Sequence, residues 1–385
     1  MTKFLIIIVL ILAVFAIAQL ARVYELSLSI RNKREEDISH ANNRLNARLM
    51  IVFMIAFYAF FAWLFFAYKD ELLPPAASLH GETVDWLMSL NMWLVTGVFF
   101  FTNTILFVFA AKYYYREDRK AVFFPHNNTL ELVWTVIPTI VLAIVIILGL
   151  KAWNEITEPA SEDALVIELY SKQFDWTARY AGTDNKLGNS NMNFISGTNP
   201  LGVITTETKA ATLVELDETI KGYKAKLADE ALPDSKRDEL EHKLFNIETR
   251  KRRVLENQPS PDELKQGYDD VVVKGEFHLP VGKEVSFVFR SQDVIHSAYM
   301  PHFRAQMNTV PGTRTTFRFT PTITTAEMRE MTGKEEFNYV LLCNKICGSA
   351  HYNMQMDIVV ETEEEYNAWL ASQNNFGASL TASAE

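Results

Sequence analysis

Cys343-Asn344-Lys345-Ile346-Cys347-Gly348-Ser349-Ala350-His351-Tyr352-Asn353-Met354 lies between two short runs that read as strands, Tyr339-Val340-Leu341-Leu342 and Met356-Asp357-Ile358-Val359-Val360. Two thiols, an imidazole and a thioether therefore share one loop of a β domain. Such soft donors select copper over calcium or magnesium. A structural zinc site closes on four Cys or His ligands and has no use for methionine. A further histidine, His296, follows a strand in Asp293-Val294-Ile295-His296-Ser297. A mononuclear blue-copper site needs one Cys, two His and a weak Met, which leaves one cysteine in surplus. If both sulfurs bridge two ions, each metal gains two sulfurs, one imidazole and one weak axial donor. The competing reading is a disulfide between Cys343 and Cys347 in an oxidising compartment, with His351 and Met354 incidental. The chain has only these two cysteines, too few for a disulfide framework.

Outward from the loop, alternating runs at 165–170, 271–273, 285–289 and 316–320 continue the strand series. Pro280-Val281-Gly282 and Pro311-Gly312 mark turns. This pattern predicts a small β-sandwich or barrel. Residues 209–258 break it. Leu213, Leu216, Ile220, Tyr223 and Leu227 form a stripe at helical spacing, and Leu240, Leu244, Ile247 and Val254 line a second helix. Pro233-Asp234-Ser235 separates the two, with Ser235 able to cap. The segment reads as an inserted helical hairpin, either a self-packed ornament or a docking surface. The tail from Asn374 reads as disordered. His302 reads as structural or surface, and Met356 as a packing residue. His278, His242, His126, His80 and His40 have no partners at ligand spacing.

The N-terminal part is of another kind. Apolar stretches at 4–20, 49–68, 92–111 and 132–150 are each long enough to cross about 30 Å of hydrocarbon. Thr102, Asn103 and Thr104 are expected to be satisfied against neighbouring helices, and Pro138 is tolerable in a bundle. Arg22, Arg31, Lys33, Arg34, Arg44 and Arg48 follow the first span, and Lys112, Arg116, Arg119 and Lys120 the third. Between the second and third, only Lys69 is basic. The basic loops belong in the cytoplasm, so everything after Lys151 faces outward. A cleaved signal peptide ending near Ala16-Ile17-Ala18 is the alternative. It would reverse that topology, so a retained helix is preferred.

Residues 1–151 hold 13 basic and 11 acidic side chains, and the remainder 24 and 36. An acidic outer part argues against nucleic acid. It suits a basic partner steered from a distance, or solubility alone.

These motifs resemble cytochrome c oxidase subunit II. The Cys343–Met354 loop is similar to that family's C-x-E-x-C-G-x-x-H-x-x-M, and Asp293–Ser297 to its D-V-[LI]-H-S. Leu130-Glu131-Leu132-Val133-Trp134-Thr135-Val136-Ile137-Pro138 resembles the start of its second membrane helix. The resemblance implies an α-helical membrane anchor and an all-β cupredoxin-like barrel, here with the inserted hairpin. It implies the family's two-helix anchor in 71–151 and a periplasmic copper domain in 152–370, while 1–70 reads as an extra membrane region of two helices and 371–385 as a flexible tail. Cys343 and Cys347 would bridge a binuclear copper A centre. One ion would also take His296 and Met354, the other His351 and the backbone carbonyl of Lys345. Electrons would come from a c-type cytochrome, which the departures below suggest is membrane-bound or held in a supercomplex. They would pass to haem in subunit I of a proton-pumping oxidase in a bacterial inner membrane, where oxygen is reduced to water. Glu131 matches a carboxylate at the mouth of a proton path.

Three departures stand out. Lys345 replaces a glutamate that often helps bind magnesium, which puts that metal in doubt. Gln173-Phe174-Asp175-Trp176 stands for Q-W-x-W, leaving Trp176 as the candidate for electron entry. The extra helices and the hairpin are additions. A nitrous oxide reductase domain would lack Glu131 and its helix, a quinol oxidase subunit would lack the ligands, and a copper chaperone would need fewer spans.

Overall fold

The computed structural model describes residues 2–30, 39–230 and 232–382. Helices α1 (Thr2–Ile30), α2 (His40–Tyr68), α3 (Leu79–Lys112) and α4 (Asn128–Thr157) come first. Strands β1 (Leu165–Lys172) and β2 (Asp175–Tyr180) follow, then helices α5 (Thr206–Leu227), α6 (Asp234–Glu256) and α7 (Pro261–Lys265). Next are β3 (Val271–Lys274), β4 (Glu276–Pro280), β5 (Val285–Ser291), β6 (His296–Met300), β7 (Ala305–Thr309) and β8 (Thr315–Phe319). The chain ends with α8 (Thr325–Thr332), β9 (Tyr339–Cys343), β10 (Gln355–Glu361), α9 (Glu363–Ser372) and α10 (Phe376–Ala382).

Two units emerge. One holds residues 1–72 and 90–140, the other residues 73–89 and 141–385. In the first, the stretches that begin at His40, Leu79 and Asn128 are long and apolar enough to span a membrane, and α2 continues as one 3-10 turn to Glu71. Several side chains of α1 lie outside the described residues, as do Arg31, Lys33 and Arg34. Aromatic rings join α2 to α3: Phe57 to Phe99 and Phe61 to Phe100, at 5.7 and 5.4 Å between centroids. The polar trio in α3 only partly follows expectation. Thr102 and Asn103 bond back to the carbonyls of Val98 and Phe99 in their own helix, because such short side chains reach the preceding turn. Thr104 alone crosses, meeting the Tyr58 hydroxyl at 2.9 Å.

The second unit is a sandwich of two five-stranded sheets, ordered β3-β2-β1-β5-β8 and β4-β10-β9-β6-β7. Strand alternation drives it: side chains of period two line one face. In β5, Val285, Phe287, Phe289 and Ser291 are buried while the residues between them are not. From the other sheet, Tyr339 and Leu341 of β9 and Met356, Ile358 and Val360 of β10 join the same core, as expected for Met356. Each large apolar side chain so buried contributes roughly 1.5–3 kcal/mol.

Three expectations are corrected here. The tail from residue 371 is ordered as far as 382. Phe376 packs with Tyr170, Leu201 and Val203, and its amide donates to the Asp270 carbonyl at 2.7 Å. The inserted hairpin begins at Thr206 under a Thr205–Thr208 capping box, and Pro233, not Ser235, stands at the N-cap of α6. Residues 73–89, expected in the anchor, cluster with the sandwich. Ala77 and Ser78 are buried, the Ala77 amide donates to the His302 carbonyl at 2.7 Å, and Asp85 takes both Arg304 Nε and Nη2.

The hairpin is antiparallel: Asp217 meets Lys251 and Lys224 meets Glu248. Leu216 and Val254 from its apolar stripes pack with Phe194 and Ile204.

Candidate metal centre

Alternation in β9 places Tyr339, Leu341 and Cys343 inward, so the first cysteine continues the core face. Ala298 of β6 pairs with Cys343. His296, two residues earlier and on the same face as Ala298, therefore lies opposite the start of the ligand loop. That loop is closed by the Cys343 amide donating to the Met354 carbonyl at 3.0 Å. Gly348 permits its tight path. Its φ is +143°, and a Cβ there would stand 2.7 Å from the Phe174 ring.

The expected donors converge. Both cysteines are free, with sulfurs 3.8 Å apart, far beyond the roughly 2.05 Å of a disulfide. His296 Nδ1 lies 3.9 Å from Cys343 Sγ, and His351 Nδ1 lies 3.6 Å from Cys347 Sγ. Met354 Sδ is 3.8 Å from Cys347 Sγ, and the Lys345 carbonyl oxygen 3.2 Å from Cys343 Sγ. The ligand atoms of His296, Cys343 and Cys347 all lie within 4.8 Å of one another. Two donors bound to one ion at about 2.0–2.3 Å stand this far apart. Burial, with the neighbouring Cys343 thiol, pushes Cys347 up to about 11. Burial thus disfavours a bare Cys347 thiolate, whose charge a bound cation would compensate. The donor set fits a soft metal.

Asp293 was quoted in the sequence motif without a role, and the structure supplies one. Its Oδ1 meets His296 Nε2 at 2.8 Å, while Oδ2 accepts from the Gln173 amide at 2.7 Å. Burial opposes its ionisation, but the bonds from His296, Gln173 and Val294 hold its carboxyl below the ordinary value. A carboxylate on the far nitrogen fixes tautomer and ring direction, leaving Nδ1 for the cluster. Gln173 Nε2 also donates to the Cys347 carbonyl at 2.5 Å. The only hint in the sequence was an acid three residues before a histidine.

Trp176 is 0% exposed and edge-on to His296 at 6.3 Å between centroids. Direct contact with a docked donor is excluded, because the core encloses the whole indole. Its Nε1 has no hydrogen-bond partner among the described residues. The surface above the loop is instead apolar, with Ile346 and Tyr352 88% and 87% exposed. His302 is structural, against Phe337 and Tyr339. His278 stacks on Trp369 at 4.0 Å and bonds Glu361. Glu131 is exposed in the first turn of α4, whose start is capped by Asn127.

A thiolate–imidazole–thioether cluster on a two-sheet sandwich behind apolar helices defines a membrane-tethered copper protein of the electron-transfer class. Residues 66–152 match the family model described as cytochrome C oxidase subunit II, transmembrane domain, and residues 259–363 match the model for its periplasmic domain. The chain is 30% identical over 317 residues to the alternative cytochrome c oxidase subunit 2 of Bradyrhizobium diazoefficiens, covering 81% of this chain and 88% of that protein. It is 20% identical over 311 residues to subunit 2 of Synechocystis sp., covering 80% and 78%. A 101-residue stretch is 35% identical to subunit 2 of Thermostichus vulcanus, covering 26% and 27%.

The chain belongs to the cytochrome c oxidase subunit II family. It is a copper-containing oxidase subunit with a cupredoxin-like domain on the periplasmic side of the membrane that anchors it.

Proposed function

We propose that Cys343 and Cys347 jointly bridge two copper ions and that the centre takes electrons from a c-type cytochrome. His296 and Met354 complete one ion's ligands. His351 and the Lys345 carbonyl complete the other's. The carrying observation is that the two imidazoles approach different sulfurs of one close, unbonded pair. When bound, the copper pair supplies a one-electron site that feeds haem in subunit I, where oxygen is reduced to water.

The protein's own groups do the rest. Asp293 orients His296, Gln173 and Phe174 clamp the loop from outside, and the core excludes water from the sulfurs. Ile346 and Tyr352, with the half-exposed Val294 and Ile295, offer the donor an apolar contact. Trp176, enclosed beside His296, serves as an inner relay rather than as the docking residue. Glu131 is assigned to the mouth of a proton path. Helix α1 is counted as a fourth span, so that 1–70 adds two helices, α1 and α2, to the anchor helices α3 and α4. Lys345 offers no carboxylate, so no magnesium site is assigned.

Phe174 in place of the family's tryptophan supports a donor that is membrane-bound or complex-associated, held by the extra helices or the hairpin. Deleting residues 209–258 then weakens supercomplex assembly while the copper spectrum persists. Unchanged assembly would count against it.

Metal analysis of the intact oxidase tests the central reading. Two coppers assigned to this subunit, with a delocalised mixed-valence EPR signal, are expected. Cys343→Ser or Cys347→Ser abolishes the signal and lowers cytochrome c oxidation by more than about 100-fold. One copper, or a normal signal in either variant, overturns the bridging assignment.

A further inference from the structure

A cleft of about 640 Å³ opens where the inserted hairpin meets the sandwich. Its walls come from segments distant in sequence: Arg250 of α6, Tyr170 of β1, Arg290 of β5, and Arg314 just before β8. Three guanidinium groups in one cleft run against composition, since the chain beyond residue 151 has 24 basic and 36 acidic side chains.

Their charges are poorly compensated. Arg290 Nε is 3.0 Å from Glu168 Oε2, yet that same oxygen is 3.0 Å from Arg179. Arg250 donates to the carbonyls of Asn193 and Ile195 at 2.9 and 2.6 Å. Carbonyls satisfy its hydrogens and leave its charge. Arg314 is exposed, and among the described residues neither it nor Arg250 has a carboxylate at ion-pair distance.

A separate observation points the same way. Tyr170 is buried, with the Arg290 guanidinium 5.0 Å above its ring. Among the described residues its hydroxyl has no hydrogen-bond partner. Burial pushes that hydroxyl up to about 12, so it remains a proton donor at neutral pH. Guanidinium forks match the paired oxygens of phosphate, whereas a halide is a single spherical acceptor. The cleft is larger than a bare ion requires, and Met192, Ile195 and Pro311 supply an apolar side.

We propose that this cleft binds a phosphate group, free or esterified to a small organic body, through Arg250, Arg290, Arg314 and the Tyr170 hydroxyl. Arg250 lies between the two stretches matched by the family models. Arg290 and Arg314 lie within the second of those stretches, so the inserted hairpin supplies one wall of the site, and the reading is independent of the copper reading. Occupancy would pin α6 to β5 of the sandwich.

Calorimetry and amide exchange on the intact oxidase test it, with inorganic phosphate and glycerol 3-phosphate as probes at constant ionic strength in chloride. Saturable binding is expected, with protection over residues 190–195 and 311–314. Whichever probe binds more tightly, the site is supported and its source distinguished. Arg314→Gln and Arg250→Gln each weaken binding roughly ten-fold. Arg314 is exposed and unpaired, so its variant keeps the fold and the copper content. No saturable binding of either probe, equal affinity in both variants, or the same protection from chloride alone overturns the proposal.

Discussion

Two buried polar clusters occupy the same sandwich and differ in what they leave unfinished. Around Arg179, charge is met by charge. Its Nη1 reaches Asp270 at 2.9 Å and the Gly188 carbonyl at 2.9 Å, while its Nη2 reaches Glu168 at 3.0 Å. All three side chains are essentially unexposed. Around Cys343, by contrast, two sulfurs and two imidazole nitrogens, soft donors all, face one another 3.6–3.9 Å apart. The first cluster holds strands together from within. The second is an arrangement of donors whose partner must come from outside. Burial alone therefore does not mark a functional site; the sign and softness of what is left over does.

Breaking the ionic cluster should have the largest effect on stability. Arg179→Met strands the buried Asp270 carboxyl, leaves Glu168 to Arg290 alone, and is expected to cost about 3–5 kcal/mol, read from the denaturant midpoint. A loss below about 1 kcal/mol would show that water reaches the cluster. Asp293→Ala sharpens the contrast from the other side. It should lower copper affinity about 10- to 100-fold in chelator competition and cost the metal-free protein about 1–3 kcal/mol, because the buried His296 Nε2 loses its partner. Equal affinity would remove Asp293 from its orienting role.

The smallest effect concerns His302, which burial, helped by Arg304, lowers to about 4 from an ordinary 6.5. Its neutral form is favoured by folding. Its stabilisation is present above about pH 6.5 and lost as pH falls toward 4, reaching roughly 1 kcal/mol by pH 5.5. His302→Phe should flatten that part of the stability profile by up to about one proton. A profile unchanged in slope would show that His302 is already solvated.

Legibility in the sequence follows the same division. The donor loop was readable because its ligands are local and chemically unusual: five positions from Cys343 to Met354, plus one histidine in a short motif. Strands β5 and β9 were readable because burial on one face imposes period two. The helical stripes of α5 and α6 betrayed the hairpin through Leu216 and Val254. Arg179 and Glu168 face one another across the β1–β2 hairpin, eleven residues apart, but Asp270 joins them from 91 residues further on, and that spacing carries no signal in the sequence. Asp293 was visible only as part of a motif, because a hydrogen bond to the far nitrogen of a ring depends on the rotamer. The tail reads as disordered for a related reason. Gly377, Ser379 and Thr381 look like solvent-seeking filler, whereas Phe376 finds a slot made by Tyr170, Leu201 and Val203.

The segment at 73–89 bears on how this domain is best produced in isolation. Ala77 hydrogen-bonds to both His302 and Thr322, and Ser78 donates its hydroxyl to the Phe303 carbonyl at 2.7 Å. A soluble fragment begun after α4 would lack this stitch. The flank at 302–304, a few residues past His296, would open to solvent. A fragment that carries 73–89 grafted ahead of residue 158 through a flexible linker restores the missing edge.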